Sequence, residues 1–352
     1  MKPAPVEING VQVAPGERVS IDLPVARLYT HTSLAMPIQV VRGKRPGPSI
    51  FISAAIHGDE LNGVEIIRRL LKHRALRTMK GTLYAVPIVN VHGFLNRSRY
   101  LPDRRDLNRS FPGSDKGSLA GQIARLFMRE IVDKCSYGID LHTGAVHREN
   151  IPQIRANLDD AKTEELARCF GVPVLINATL RDGSLRMAAA EKGVTMLLYE
   201  AGEALRLDEV SIRAGLKGIL NVMRSLEMLP AKKTQSASGK AKQPVVAQAS
   251  TWLRAPESGI LRTLVPLGAK VGMDDLLAVI ADPFGESETE LRASGEGIVI
   301  GRSQLPLVHQ GEALYHIAQF SRLDRAAKDV EDFQEIIQPD GVNSGDIEPP
   351  IL

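Results

Sequence analysis

The sequence predicts an α/β fold followed by a smaller all-β unit. Three observations carry this reading. Apolar runs bounded by Gly and Pro alternate with helix-period segments up to about residue 230; a polar stretch without apolar periodicity fills 231–250; and beyond it short apolar segments are separated by Gly, Pro and Asp. The buried run PSIFISAAI (48–56) reads as a strand and ELNGVEIIRRLLKH (60–73) as an amphipathic helix, with TLYAVPIVNV (82–91) as the next strand. A helix follows near 118–133, a strand near 137–141 and a helix near 159–170. Strands at 172–176 and 194–199 flank a helix near 184–192, and a long helix, 208–227, closes this part. The assignment is therefore a first domain over 1–230, opening with a β ribbon over about 1–45, a linker at 231–250, an all-β module at 251–320 and an acidic tail at 321–352 that is loosely held.

The module's texture resembles the barrel-sandwich of lipoyl and biotinyl carriers. Such carriers attach their cofactor to a hairpin lysine, and no lysine occurs between Val271 and Phe320, so the resemblance implies the shape without the modification. The module then serves as a cover for a site mouth or as a contact between copies in a homo-oligomer.

Composition removes several classes of function. With 352 residues, 43% of them hydrophobic and 24% charged, the chain buries a sizeable core and is neither disordered nor fibrous. A net charge of +3 is too slight for a dedicated nucleic-acid binder. No run of about 18 apolar residues offers a membrane span, and the first ten residues lack a signal-peptide core. The two cysteines, Cys135 and Cys169, sit in apolar runs that read as core and are too few for a disulfide framework. A cytoplasmic protein working on small molecules is the expectation.

The chemistry gathers at strand ends. AAIHGDE puts His57 just past a strand and Glu60 three residues on, where a helix starts. Alone, that pair is better explained by a helix N-terminus capped by Asp59 or Glu60. A third donor, His142 in YGIDLHTG, also follows a strand, and an open α/β sheet collects its site residues at those ends. Two imidazoles and one carboxylate form a zinc site of the catalytic kind, with a fourth position left for water. Asp106 and Asp140 are placed to orient an arginine or a metal-bound histidine rather than to ligate.

Four motifs in order, HGDE (57–60), DLNRSFPG (106–113), DLHTG (140–144) and YEAGE (199–203), resemble the succinylglutamate desuccinylase/aspartoacylase family, relatives of the zinc carboxypeptidases, over about 49–229. The resemblance implies a carboxypeptidase-like mixed sheet flanked by helices and one Zn2+ held by His57, Glu60 and His142. It implies Glu200 as the catalytic glutamate, with Glu203 as its rival, and Arg99 as the group polarising the scissile carbonyl. It further implies that Asn108 and Arg109 hold a substrate carboxylate, which suits a rigid guanidinium fork beside a neutral donor. Arg186 is either a second carboxylate-binding arginine or an ordinary helix-face residue. Arg148, Arg155 and Arg181, in segments read as loops, could enlarge the same pocket. The implied activity is zinc-dependent hydrolysis of a small N-acyl amino acid; the alternatives are a metallocarboxypeptidase or peptide amidase and, more distantly, a metal-bearing scaffold.

Overall fold

The computed structural model describes residues 4–231 and 244–337. In chain order the first part contains β1 (Val6–Ile8), β2 (Val11–Val13), β3 (Arg18–Arg27), β4 (Ser33–Arg42), β5 (Arg45–Ala54), α1 (Asn62–Lys72), β6 (Lys80–Val86), α2 (Val91–Asn96), α3 (Leu119–Glu130), β7 (Tyr137–Gly144), β8 (Arg148–Ala156), α4 (Ala161–Phe170), β9 (Val174–Asn177), α5 (Leu185–Glu191), β10 (Thr195–Glu203) and α6 (Glu209–Ser225). The second part contains β11 (Val245–Ala247), β12 (Ala249–Arg254), β13 (Gly259–Thr263), β14 (Lys270–Val271), β15 (Leu276–Ala281), β16 (Glu288–Arg292), β17 (Gly297–Ser303), β18 (Leu307–Val308), β19 (Ala313–Gln319) and α7 (Leu323–Ile337).

The expected alternation is present as a mixed sheet with helices on both faces. β5, β6, β7 and β10 run parallel in the order β10-β7-β5-β6, and β4 and β3 extend the sheet antiparallel. Ile66 and Leu70 of α1, Phe170 of α4 and Ile212 and Ile219 of α6 pack on one face; Ile123 and Phe127 of α3 and Leu185 of α5 pack on the other. With both faces covered, β5 reads as the continuous apolar run its sequence shows. The helix starts are written locally: the side chains of Ser118, Asp160, Ser184 and Asp208 each accept a hydrogen bond from a backbone N–H three residues on.

Several sequence expectations are corrected. The segment 145–154, read as a loop, is mostly strand β8, which pairs with β10 on one side and with β9 and β17 on the other. Its charged residues and Pro152 disguise it, but register moves from Asn150 to Gln153 while β10 moves from Gly202 to Glu200, so Pro152 lies in a bulge where no ladder donor is needed. The strand expected over 82–91 ends at Val86, and 91–96 is helix α2. Residues 232–243 of the expected linker lie outside the described residues, whereas 245–247 and 249–254 are strands, β11 pairing with β9 and β12 with β19. Up to Ile337 the acidic tail is helix α7, whose Ala326 and Val330 pack with Ile298 and Ile300 of β17; the remainder lies outside the described residues. Cys135 is buried, but Cys169 is only half-buried, at the end of α4.

The second part is all-β apart from α7. β16-β15-β13-β18 form a separate four-stranded sheet, while β12-β19-β17 continue the large sheet through the β17–β8 ladder. One hydrogen-bonded sheet thus runs from the N-terminal strands into the C-terminal ones, and that continuity places C-terminal residues beside the site.

Candidate active site

The site lies at the C-terminal ends of β5, β7 and β10. Parallel register aligns Ser53 with Asp140 and Glu200 with His142. After Ala54 the chain turns through Ala55, whose φ of +51° is rare for alanine and is fixed by Val89 and Asn90 donating to the carbonyls of Ala54 and Ala55. This turn delivers His57 inward. Gly58 is required there, because a Cβ would sit 2.0 Å from the backbone carbon of Gly93 in α2. We expect Gly58→Ala to destabilise the fold by about 1–3 kcal/mol through overpacking against an immovable backbone, read as a lower urea midpoint.

Neither Asp59 nor Glu60 caps α1, which starts after Leu61 without a side-chain cap. Glu60 is instead turned to the histidines: its Oε1 lies 2.6 Å from His57 Nδ1 and its Oε2 lies 2.8 Å from His142 Nδ1. The Thr143 backbone N–H donates to the same Oε2 at 3.0 Å. Each ring has a carboxylate on its other nitrogen, Asp106 3.2 Å from His57 Nε2 and Asp140 2.7 Å from His142 Nε2. Asp140 in turn accepts from Ser53 Oγ at 2.7 Å. Three donor atoms of His57, Glu60 and His142 lie within 4.8 Å of one another, and all three residues are buried. Burial opposes charge here, yet charge prevails. It pushes the Glu60 carboxyl up, but the two imidazoles outweigh it and hold that carboxyl well below the usual range. Burial pulls His142 down, but Asp140 and Glu60 raise it well above an ordinary histidine.

The other expected residues gather around this trio with different partners. Arg99 donates to Asp106 Oδ2 at 2.9 Å, and its Nη1 lies 3.2 Å from His57 Nδ1 and 3.5 Å from Glu60 Oε1. Asn108 is buried and its Oδ1 accepts from the Leu185 backbone N–H at 3.0 Å, leaving its Nδ2 as the remaining side-chain donor. Arg109 lines the cavity and bonds the Asn108 carbonyl. Arg186 also lines it, but its guanidinium donates to the carbonyls of Ala178 and Thr179, at 3.1 and 2.9 Å. Glu200 faces the cavity between two partners: Asn150 Nδ2 donates to its Oε1 at 3.0 Å, and Arg155 Nε lies 2.7 Å from its Oε2. Glu203 ends β10, and its Oε1 accepts from the His147 N–H at 3.1 Å. His92, in α2, is buried but does not reach the cavity lining.

The catalytic-domain signature described as Succinylglutamate desuccinylase/Aspartoacylase matches residues 46–226, the span that holds every residue named above. The chain belongs to the succinylglutamate desuccinylase/aspartoacylase family. Among its relatives is the N-alpha-acetyl-L-2,4-diaminobutyric acid deacetylase of Halomonas elongata, 26% identical over 304 residues that cover 82% of this chain and 86% of that protein. Solved structures with the same fold include the ectoine utilization protein EutE (DoeB) of Ruegeria pomeroyi with product bound, TM-score 0.77 at 24% identity, covering 90% of this chain and 98% of that one. A succinylglutamate desuccinylase/aspartoacylase from Rhodobacter sphaeroides has a TM-score of 0.76 at 23% identity, covering 86% and 96%.

In this family member the cavity measures about 560 Å³, and its wall draws on both parts of the chain. Six arginines reach it, Arg99, Arg109, Arg148, Arg155, Arg181 and Arg186. Ser250 and Trp252 of β12 line it too. Sequence reasoning named all six arginines but missed Asn150, Ser250 and Trp252. Asn150 was hidden in the strand misread as a loop. Trp252 is the chain's single tryptophan, but it reaches the cavity through the ladder between β17 and β8, a pairing that no local pattern announces.

Proposed function

We infer that this protein is a zinc-dependent deacylase that hydrolyses the amide bond of a small N-acyl amino acid. The observation that supports it most is the convergence of His57, Glu60 and His142, each imidazole backed by a carboxylate on its far nitrogen. That donor set suits zinc. Two nitrogens and one oxygen make a three-ligand site of the catalytic kind, and the Asp–His backing fixes ring orientation and raises ligand basicity. Cobalt, manganese or nickel would find the same donors. When bound, the ion supplies Lewis acidity toward an acyl oxygen and makes water acidic enough to attack near neutral pH.

The remaining work falls to this chain's side chains. Arg99 is poised to stabilise negative charge developing on the acyl oxygen, and its bond to Asp106 holds the guanidinium beside His57. Glu200 accepts a proton from the attacking water and returns it to the departing nitrogen. Asn108 and Arg109 take the carboxylate of the amino acid, and Arg186 widens this basic wall. The acyl group is small: the Halomonas relative's name specifies an acetyl group, and an acetyl amino acid fits a cavity of about 560 Å³. We assign the residues to 230 as the catalytic domain and the β unit after 250 as a barrel-sandwich module covering the cavity's edge. No helix among the described residues is long and apolar enough to cross a membrane, and both cysteines are free; a cytoplasmic setting agrees with the latter.

A substrate panel tests the reading. N-acetyl and N-succinyl amino acids are expected to give kcat/KM at least about tenfold above that for release of C-terminal residues from tripeptides, since a cavity of about 560 Å³ suits the smaller substrates. The reverse preference would make the protein a carboxypeptidase.

A further inference from the structure

A row of register partners crosses from the catalytic strands into the C-terminal ones. Gly202 of β10 faces Asn150 of β8, Asn150 faces Gly301 of β17, Gly301 faces His316 of β19, and His316 faces Trp252 of β12. Asn150 is the member that touches Glu200, through its Nδ2. Its other end is unusual. Asn150 is 6% exposed and its Oδ1 has no hydrogen-bond partner; His316 is 4% exposed and its Nδ1 has none either. Gly301 lies between them. A Cβ there would come 2.5 Å from Asn150 Oδ1 and 3.3 Å from His316 Cβ, two bonds from Nδ1. Gly301 lies within strand β17 and is absent from the positive-φ residues, so its backbone does not demand glycine. What the position demands is space.

Buried polar atoms without partners are costly, and a polar niche of this kind is where proteins hold ordered water. We propose that a buried water seated over Gly301 donates to Asn150 Oδ1 and His316 Nδ1, and that Asn150, locked in this way, is a positioning residue for Glu200 opposite Arg155. This rests on the reading of Glu200 as the general base. Without the lock, the amide can rotate and turn its oxygen toward the carboxylate, replacing an attraction by a repulsion. His316 is suited to accept. Burial, with the charge of Arg155, pulls its pKa down to about 3, so the ring is neutral, and stacking on Trp252 at 4.7 Å and 8° fixes its plane. Gln153, the register partner of Glu200, is also fully buried with both amide atoms unpartnered. The C-terminal sheet thereby contributes to orienting a base that lies in the other part of the chain.

Two measurements on the full-length protein decide it. A high-resolution crystal structure should show water density within hydrogen-bonding distance of Asn150 Oδ1 and His316 Nδ1; density elsewhere, or a protein partner for Oδ1, overturns the proposal. Kinetics should use whichever of N-acetyl-L-aspartate, N-acetyl-L-glutamate and N-acetyl-L-2,4-diaminobutyrate the wild type turns over fastest, with Glu200→Gln as the floor. Asn150→Ala and Gly301→Ala are each expected to lower kcat about tenfold with little change in KM, and the double variant to lose no more than either alone. Unchanged kcat, or additive losses, contradicts the proposal, provided Trp252 fluorescence reports a native fold. If the wild type turns over none of the three, or if Glu200→Gln remains active, the deacylase reading has failed instead; the crystal structure still decides the water.

Discussion

Replacing Glu200 with glutamine is expected to reduce turnover of an N-acyl amino acid by about 10²–10⁴-fold, the usual contribution of a positioned general base, while leaving metal content unchanged. The variant keeps the side chain's shape and can still accept from Asn150 Nδ2, although its amide NH2 then replaces the oxygen that pairs with Arg155. The three donors of the metal trio are separate side chains, and none of them bonds to Glu200. Among the described residues, the other carboxylates lining the cavity are Glu60 and Asp140, and both face the histidines. Glu203 is occupied by the His147 N–H, and Asp106 and Asp140 are committed to the histidines. Single-turnover kinetics with metal analysis on the same sample checks both halves. A variant with wild-type kcat would remove Glu200 from the mechanism.

His142→Ala is expected to abolish turnover and also to weaken the fold when metal is stripped away. The ring bridges two buried carboxylates, Glu60 at 2.8 Å and Asp140 at 2.7 Å, and both lose this partner in the variant. Removing one member of a buried charged set leaves the others uncompensated, at a cost of about 3–5 kcal/mol. Urea denaturation of the metal-free wild type and variant should show the gap. A metal-free variant as stable as the wild type would mean that Glu60 and Asp140 reach other partners in the folded protein.

How much of this was written in the sequence differs by residue. The β5 turn, the parallel strands and the helices capped by Ser118, Asp160, Ser184 and Asp208 are local events, and their apolar runs and cap residues announce them. His57, Glu60 and His142 were legible because parallel strand ends share one edge of the sheet, so residues distant along the chain must meet there. Asn150 was not legible. It lies in a strand broken by a bulge at Pro152, where charged residues facing the cavity mimic a loop. Trp252 and His316 were missed for another reason: the ladder from β17 to β8 joins segments about 150 residues apart, and register across so long a connection is set by tertiary packing. The tail helix α7 was obscured in the same way, since Ala326 and Val330 become core only once β17 is beside them.

The central claim is that two imidazoles and one carboxylate hold a catalytic divalent ion, and elemental analysis of purified protein, fractionated so that metal content and specific activity are measured on the same samples, tests it most directly. The account predicts one bound ion per active chain, with activity rising in proportion to occupancy and returning when zinc is restored to chelator-treated protein. Full activity in fractions containing no divalent metal would contradict it.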